Sequence, residues 1–141
     1  MFRQTLIGLA YATAAAVLYA ATGPSVCMAG EAVLSPQKSI AEGVTITVTP
    51  RSLTREATAW DFEIKLETHA QALSDDLVKS SVLVTDGRHT TPLSWKGAPP
   101  GGHHREGVLR FKPVSPRPQS VELQIRRPGE SVPRSFRWRL N

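Results

Sequence analysis

The chain has 141 residues, the length of a single domain, and carries 17 Lys and Arg against 12 Asp and Glu for a net charge of +5. Its basic residues are scattered along the chain without forming a block, which argues against a dedicated nucleic-acid role and suits a basic surface facing anionic envelope components. Cys27 is the only cysteine, so no disulfide can form within the chain and a hydrophobic core alone must hold the fold.

The order of elements begins with a leader. Met1 to Arg3 is a short basic start, no charged side chain occurs from Gln4 to Gly30, and Leu6 to Ala21 is dominated by Leu, Ala, Val and Tyr. This is the pattern of a secretory signal, and Cys27-Met28-Ala29 places small residues where a signal peptidase reads. Cleavage is expected after Ala29, which makes 1–29 a signal peptide and puts the protein in the periplasm or outside the cell. The rival reading is an uncleaved anchor, since the uncharged run is long enough to cross a bilayer at roughly 20 residues. Pro24-Ser25-Val26 before Cys27 is a poor match to a lipidation signal. Cleavage would remove Cys27, Met1 and Met28, leaving a domain without sulfur, a net charge of about +4 as Arg3 is lost, and no stable membrane insertion.

Residues 30–42 read as an extended arm carrying Pro36, with an edge strand near Ala32 to Leu34, and residues 43–141 as the folded domain. Val44-Thr45-Ile46-Thr47-Val48 alternates apolar residues with threonine, the mark of a strand with one wet face, and Pro50 is expected to end it. Trp60, Phe62, Ile64 and Leu66 share one face of the next strand, against Asp61, Glu63, Lys65 and Glu67 on the other. Ser74-Asp75-Asp76-Leu77 reads as a single capped turn on the surface, with Ser74 or Asp75 as the cap.

Val82-Leu83-Val84 leads to Asp86-Gly87, a tight hairpin dipeptide, and Thr90 to Trp95 reads as the return strand with Leu93 and Trp95 facing inward. Val108 to Phe111 resumes a strand, and Pro113, Pro116 and Pro118 stiffen the connection after it. Val121, Leu123 and Ile125 alternate with polar residues, Pro128-Gly129 turns the chain, and Phe136, Trp138 and Leu140 close it. About seven short strands with turns at this spacing predict an all-β fold: a single antiparallel Greek-key immunoglobulin-like sandwich, with a small open barrel as the alternative.

Catalytic motifs are not seen. There is no Gly-x-Ser-x-Gly elbow and no phosphate-cradling glycine loop between a strand and a helix, and a cleaved chain would hold no cysteine nucleophile. The chemical lead lies between Trp95 and Arg105, where Gly101 and Gly102 precede His103 and His104. Neighbouring residues on a strand point to opposite faces, but in a loop both imidazoles could reach one ion. His69, at the end of the strongest strand, is the candidate third ligand, while His89 reads as a solvated turn residue. Without sulfur, the metal would be Cu(II) or Zn(II) held by imidazole with carboxylate or water. The competing reading is a histidine pair that stiffens a long β connection.

Trp60-Asp61-Phe62, Leu66-Glu67-Thr68-His69, Ser81-Val82-Leu83-Val84, Trp95 and Gly101-Gly102-His103-His104-Arg105-Glu106-Gly107-Val108-Leu109 together resemble an uncharacterised bacterial secreted immunoglobulin-like β-sandwich domain. The resemblance covers roughly the central half of the chain; it implies the fold and draws attention to His69 and the histidine pair. The expectation is a periplasmic or secreted non-enzymatic binding module, with a candidate Cu(II) or Zn(II) site at His69, His103 and His104. The alternative is a metal-free module that docks to an envelope protein through a sheet edge or the proline-bearing loops.

Overall fold

The computed structural model describes residues 34–140. The expected signal segment and its cleavage site lie outside them. Nine strands and one short helix follow in order: β1 (Gln37–Ala41), β2 (Val44–Ser52), β3 (Trp60–Thr68), α1 (Leu77–Ser80), β4 (Ser81–Thr85), β5 (Arg88–Thr90), β6 (Ser94–Gly97), β7 (His104–Phe111), β8 (Ser120–Ile125) and β9 (Arg134–Arg139). They form two antiparallel sheets ordered β1-β2-β3-β7-β6 and β5-β4-β8-β9. β2-β3-β7-β6 facing β5-β4-β8-β9 is the A-B-E-D over C′-C-F-G order of an immunoglobulin-like Greek key, with β1 added outside the A position. The chain is therefore a sandwich, not a closed barrel.

Period-two burial produces the core. Val44, Ile46 and Val48 of β2, Trp60, Phe62, Ile64 and Leu66 of β3, and Leu109 and Phe111 of β7 face Leu83 of β4, Val121, Leu123 and Ile125 of β8, and Phe136 and Trp138 of β9. Phe62 joins the layers: its ring meets Phe111 edge-on at 5.7 Å between centroids, and Trp138 of the facing sheet also at 5.7 Å.

Four local expectations change. An edge strand does occur in the segment read as an arm, but at Gln37–Ala41, where it pairs with β2 through a turn with positive φ at both Glu42 and Gly43. Pro50 does not end β2, which runs to Ser52 with a register shift between Pro50 and Ser52. The pairing with β1 stops at Val48, so Pro50 faces an unpaired edge where its missing N–H costs no ladder bond. The return strand after Asp86-Gly87 breaks at Pro92: β5 pairs with β4, and the chain then crosses to the other sheet as β6. Leu93 sits in that crossover with 62% of its surface exposed, whereas Trp95 does pack against the core. Finally, Asp76 caps α1, its side chain accepting from the Lys79 N–H at 3.2 Å, which frees Asp75 for another role.

Two glycines face each other across the β6–β7 pair, with Gly97 opposite Gly107. A Cβ on Gly107 would lie 2.6 Å from the Gly97 Cα and 2.7 Å from the Trp95 ring, so the missing side chains make room for the indole across the sheet. Gly107→Ala is expected to cost about 1–3 kcal/mol, because the backbone it meets cannot yield as a flexible side chain would. The Trp95 indole N–H donates to Ala98 O at 3.0 Å. A shift of the Trp95 indole N–H resonance, beside unchanged resonances for Trp60 and Trp138, is the measurement that locates the damage.

Candidate functional site

The histidine loop is built by its backbone. Gly101 and Gly102 both have positive φ, and the loop docks on the segment after β3 through Gly101 N–H to Leu73 O (2.8 Å) and Leu73 N–H to Gly102 O (3.0 Å). The His103 carbonyl accepts from Thr68 N–H at 3.0 Å, extending the β3–β7 pairing beyond His104. The side chains take no part in this. His69, His103 and His104 are all exposed, and His104 stands opposite Glu67 on the outer face, with Nδ1 3.8 Å from Oε1. Backbone pairing thus brings the His69 end of β3 beside His103. Even so, among the described residues no three His, Cys, Asp or Glu side chains converge as a metal site would require. The loop is held in place by these backbone hydrogen bonds.

Charge is instead buried at this end of the sandwich. Asp75 is 0% exposed, Arg105 3%, Arg127 4% and Arg134 5%. Asp75 therefore does not lie on the surface, as the capping-turn reading had it. Its two oxygens accept from Arg127 Nε at 2.9 Å and Nη2 at 3.2 Å, a bidentate pair that compensates both charges in a dry setting. Arg127 Nη1 approaches Glu130 at 3.4 Å, and Glu130 accepts from Arg134 Nε at 2.9 Å. The Arg134 guanidinium continues to the Val44 and Ala41 carbonyls, each at 2.7 Å. Arg105 lies on the other side of Asp75, donating to the Leu73 and Asp75 carbonyls at 3.1 and 2.7 Å with its guanidinium carbon 5.7 Å from the Trp95 ring centroid. Burial lowers the Arg105 pKa, opposed by the Asp75 and Asp76 charges. The Arg134 and Arg127 guanidinium groups hold the Glu130 carboxyl below the usual range, Arg134 first.

This chain of ions underlies an open pocket of about 440 Å³ between α1 and the β8–β9 turn. Asp76, Lys79 and Ser80 line one wall, Arg126, Arg127, Pro128, Gly129 and Glu130 the other. The walls are tied by Arg126 N–H to Ser80 O at 2.8 Å, and the turn by Glu130 N–H to Arg127 O at 3.2 Å with Gly129 at a φ of 80°. Ligand pockets of small molecules fall in this size range, and the base here is fixed by ion pairs and the core.

Strand parity could have revealed three of these residues. Arg105 is in phase with Leu109 and Phe111, Arg127 with Val121, Leu123 and Ile125, and Arg134 with Phe136 and Trp138, so each extends an inward row. Asp75 lies in an irregular segment, and no periodicity marks it.

A further ion group sits on the outer face of the second sheet. The Gln124 amide and the Arg137 guanidinium hold Glu122 at about 2, below the usual 4.5. A folded-state pKa below the unfolded value adds stability that is present above about 4.5 and is lost as pH falls toward about 2. Acid unfolding should therefore steepen across that window, and Glu122→Gln should flatten the slope; a carboxyl resonance titrating near 4.5 in the folded protein would refute it.

No family model matches the chain, and no curated protein matches it. Among solved structures it is similar to MPT63, a secreted protein from Mycobacterium tuberculosis, at 13% identity and a TM-score of 0.43, over 74% of this chain and 92% of that one. Among the described residues no helix is long and apolar enough to cross a membrane.

Proposed function

We propose that this protein is a periplasmic or secreted, non-enzymatic binding module whose ligand site is the pocket between α1 and the β8–β9 turn. The observation that carries this reading is the pocket's construction: an open concavity of about 440 Å³ underlain by the fully buried Asp75–Arg127 pair. A concave site whose base is already held by buried ion pairs has fewer groups to order on binding, which lowers the entropic cost of association. Export rests on the uncharged leader and its Ala29 junction.

Thermal melting of the purified protein, with and without the small-molecule filtrate of an envelope extract, tests the reading. A ligand bound only to the folded state raises the melting temperature with concentration by mass action. An unchanged melt sinks the module with a small-molecule ligand, and a rise produced only by the macromolecular fraction favours docking to an envelope protein. The metal reading at His69, His103 and His104 is decided by an EDTA arm, since removing a bound Cu(II) or Zn(II) lowers the melting temperature.

A further inference from the structure

We infer that the pocket takes a small organic molecule through an oxyanion group, a carboxylate or a phosphate, held by Arg126 and Lys79; this rests on the reading of the pocket as the ligand site. The argument is an accounting of donors and acceptors along the two walls. The acceptors are already engaged. Asp76 takes the Lys79 N–H at 3.2 Å and faces Lys79 Nζ at 3.4 Å, and Glu130 is held by Arg134 and Arg127. Arg127 is engaged as well, by Asp75 on one edge and Glu130 on the other.

What remains is donating. Arg126 is exposed and among the described residues makes one side-chain bond, from Nη1 to Ser131 O at 3.2 Å, so most of its fork is free. Lys79 lies on the opposite wall with an 85% exposed side chain and an ammonium that can turn from Asp76 to a bound anion. Ser80 belongs to the same wall, with its Oγ buried beneath the surface. A guanidinium fork matches carboxylate and phosphate geometry alike. The concavity has room for an organic body beside the anionic group.

Amide chemical-shift titrations of the purified protein with glycerol 3-phosphate, succinate and neutral glycerol test this. Saturable shifts confined to residues 76–80 and 126–130 are expected for one or both anions and not for glycerol. Arg126→Ala should weaken binding at least tenfold, Lys79→Gln several-fold, and Arg126→Lys less than Arg126→Ala. Arg126 and Lys79 are exposed, so these variants keep the fold, and their melting curves confirm it. Shifts spread over scattered basic residues such as Lys38 and Arg139, or unaffected by Arg126→Ala, would overturn the inference. Saturation by glycerol as strongly as by glycerol 3-phosphate would keep the binding pocket and remove its anion selectivity. No response to either soluble anion, including the case where phosphatidylglycerol vesicles alone are bound, overturns the oxyanion site and leaves the extract melt to decide the module.

Discussion

Asp75→Asn is expected to destabilise the protein by about 3–5 kcal/mol, because the substitution removes the bidentate counter-charge of the buried Arg127 guanidinium and leaves only the longer contact to Glu130 at 3.4 Å. For a domain of this size that is a fall in melting temperature of roughly 15 °C or more. Both partners are dry, Asp75 at 0% exposure and the Arg127 side chain at 4%, so water cannot replace the lost carboxylate without opening the end of the sandwich. Removing both charges should cost less than removing one. Asp75→Asn combined with Arg127→Met is expected to recover part of the loss, since no uncompensated ion then stays inside. Chemical denaturation of the two single variants and the double variant measures the coupling, and strictly additive losses would show that the pair is hydrated.

Phe62→Ala is expected to cost a similar 3–5 kcal/mol by a different route. The ring is fully buried, and it contacts Phe111 of its own sheet and Trp138 of the facing one. Its removal leaves a cavity at the point where the layers touch, and neither neighbour can fill it without leaving the other. Urea unfolding should show a lower midpoint with an unchanged slope, because the surface exposed on unfolding is nearly the same. A loss below about 1.5 kcal/mol would mean that the sheets slide together and close the space.

The sandwich was readable wherever alternation was clean. Trp60 to Leu66, Val121 to Ile125 and Phe136 to Trp138 fall on the faces their spacing predicts, because a strand with one wet side has no other way to sort these residues. Reading failed where tertiary context overrode a local rule. Pro50 terminates a strand only if both its edges are paired, and Leu93 counts as inward only if the chain stays in one sheet. The candidate site was least legible. His69, His103 and His104 drew attention by chemical type, while the pocket rests on arginines whose inward parity was visible but whose charge made a buried position look wrong. Asp75 could be placed only through its partner, Arg127, 52 residues away.

The strand β1 also closes the other end of the chain. The Gln37 side chain stands in for a neighbouring strand along β9: its Oε1 accepts from Arg137 N–H at 3.0 Å and its Nε2 donates to Arg137 O. Trp138 Nε1 donates to Ser35 O at 2.8 Å beside it. Gln37 and Arg137 are separated by 100 positions, and β9 is the last strand described. The seam can form only after nearly the whole domain has been synthesised. Until then β1 is held only by its hairpin with β2 and the β8 edge stays open, so this long-range closure belongs late in the folding order, when the incomplete chain is still open to chaperones and proteases.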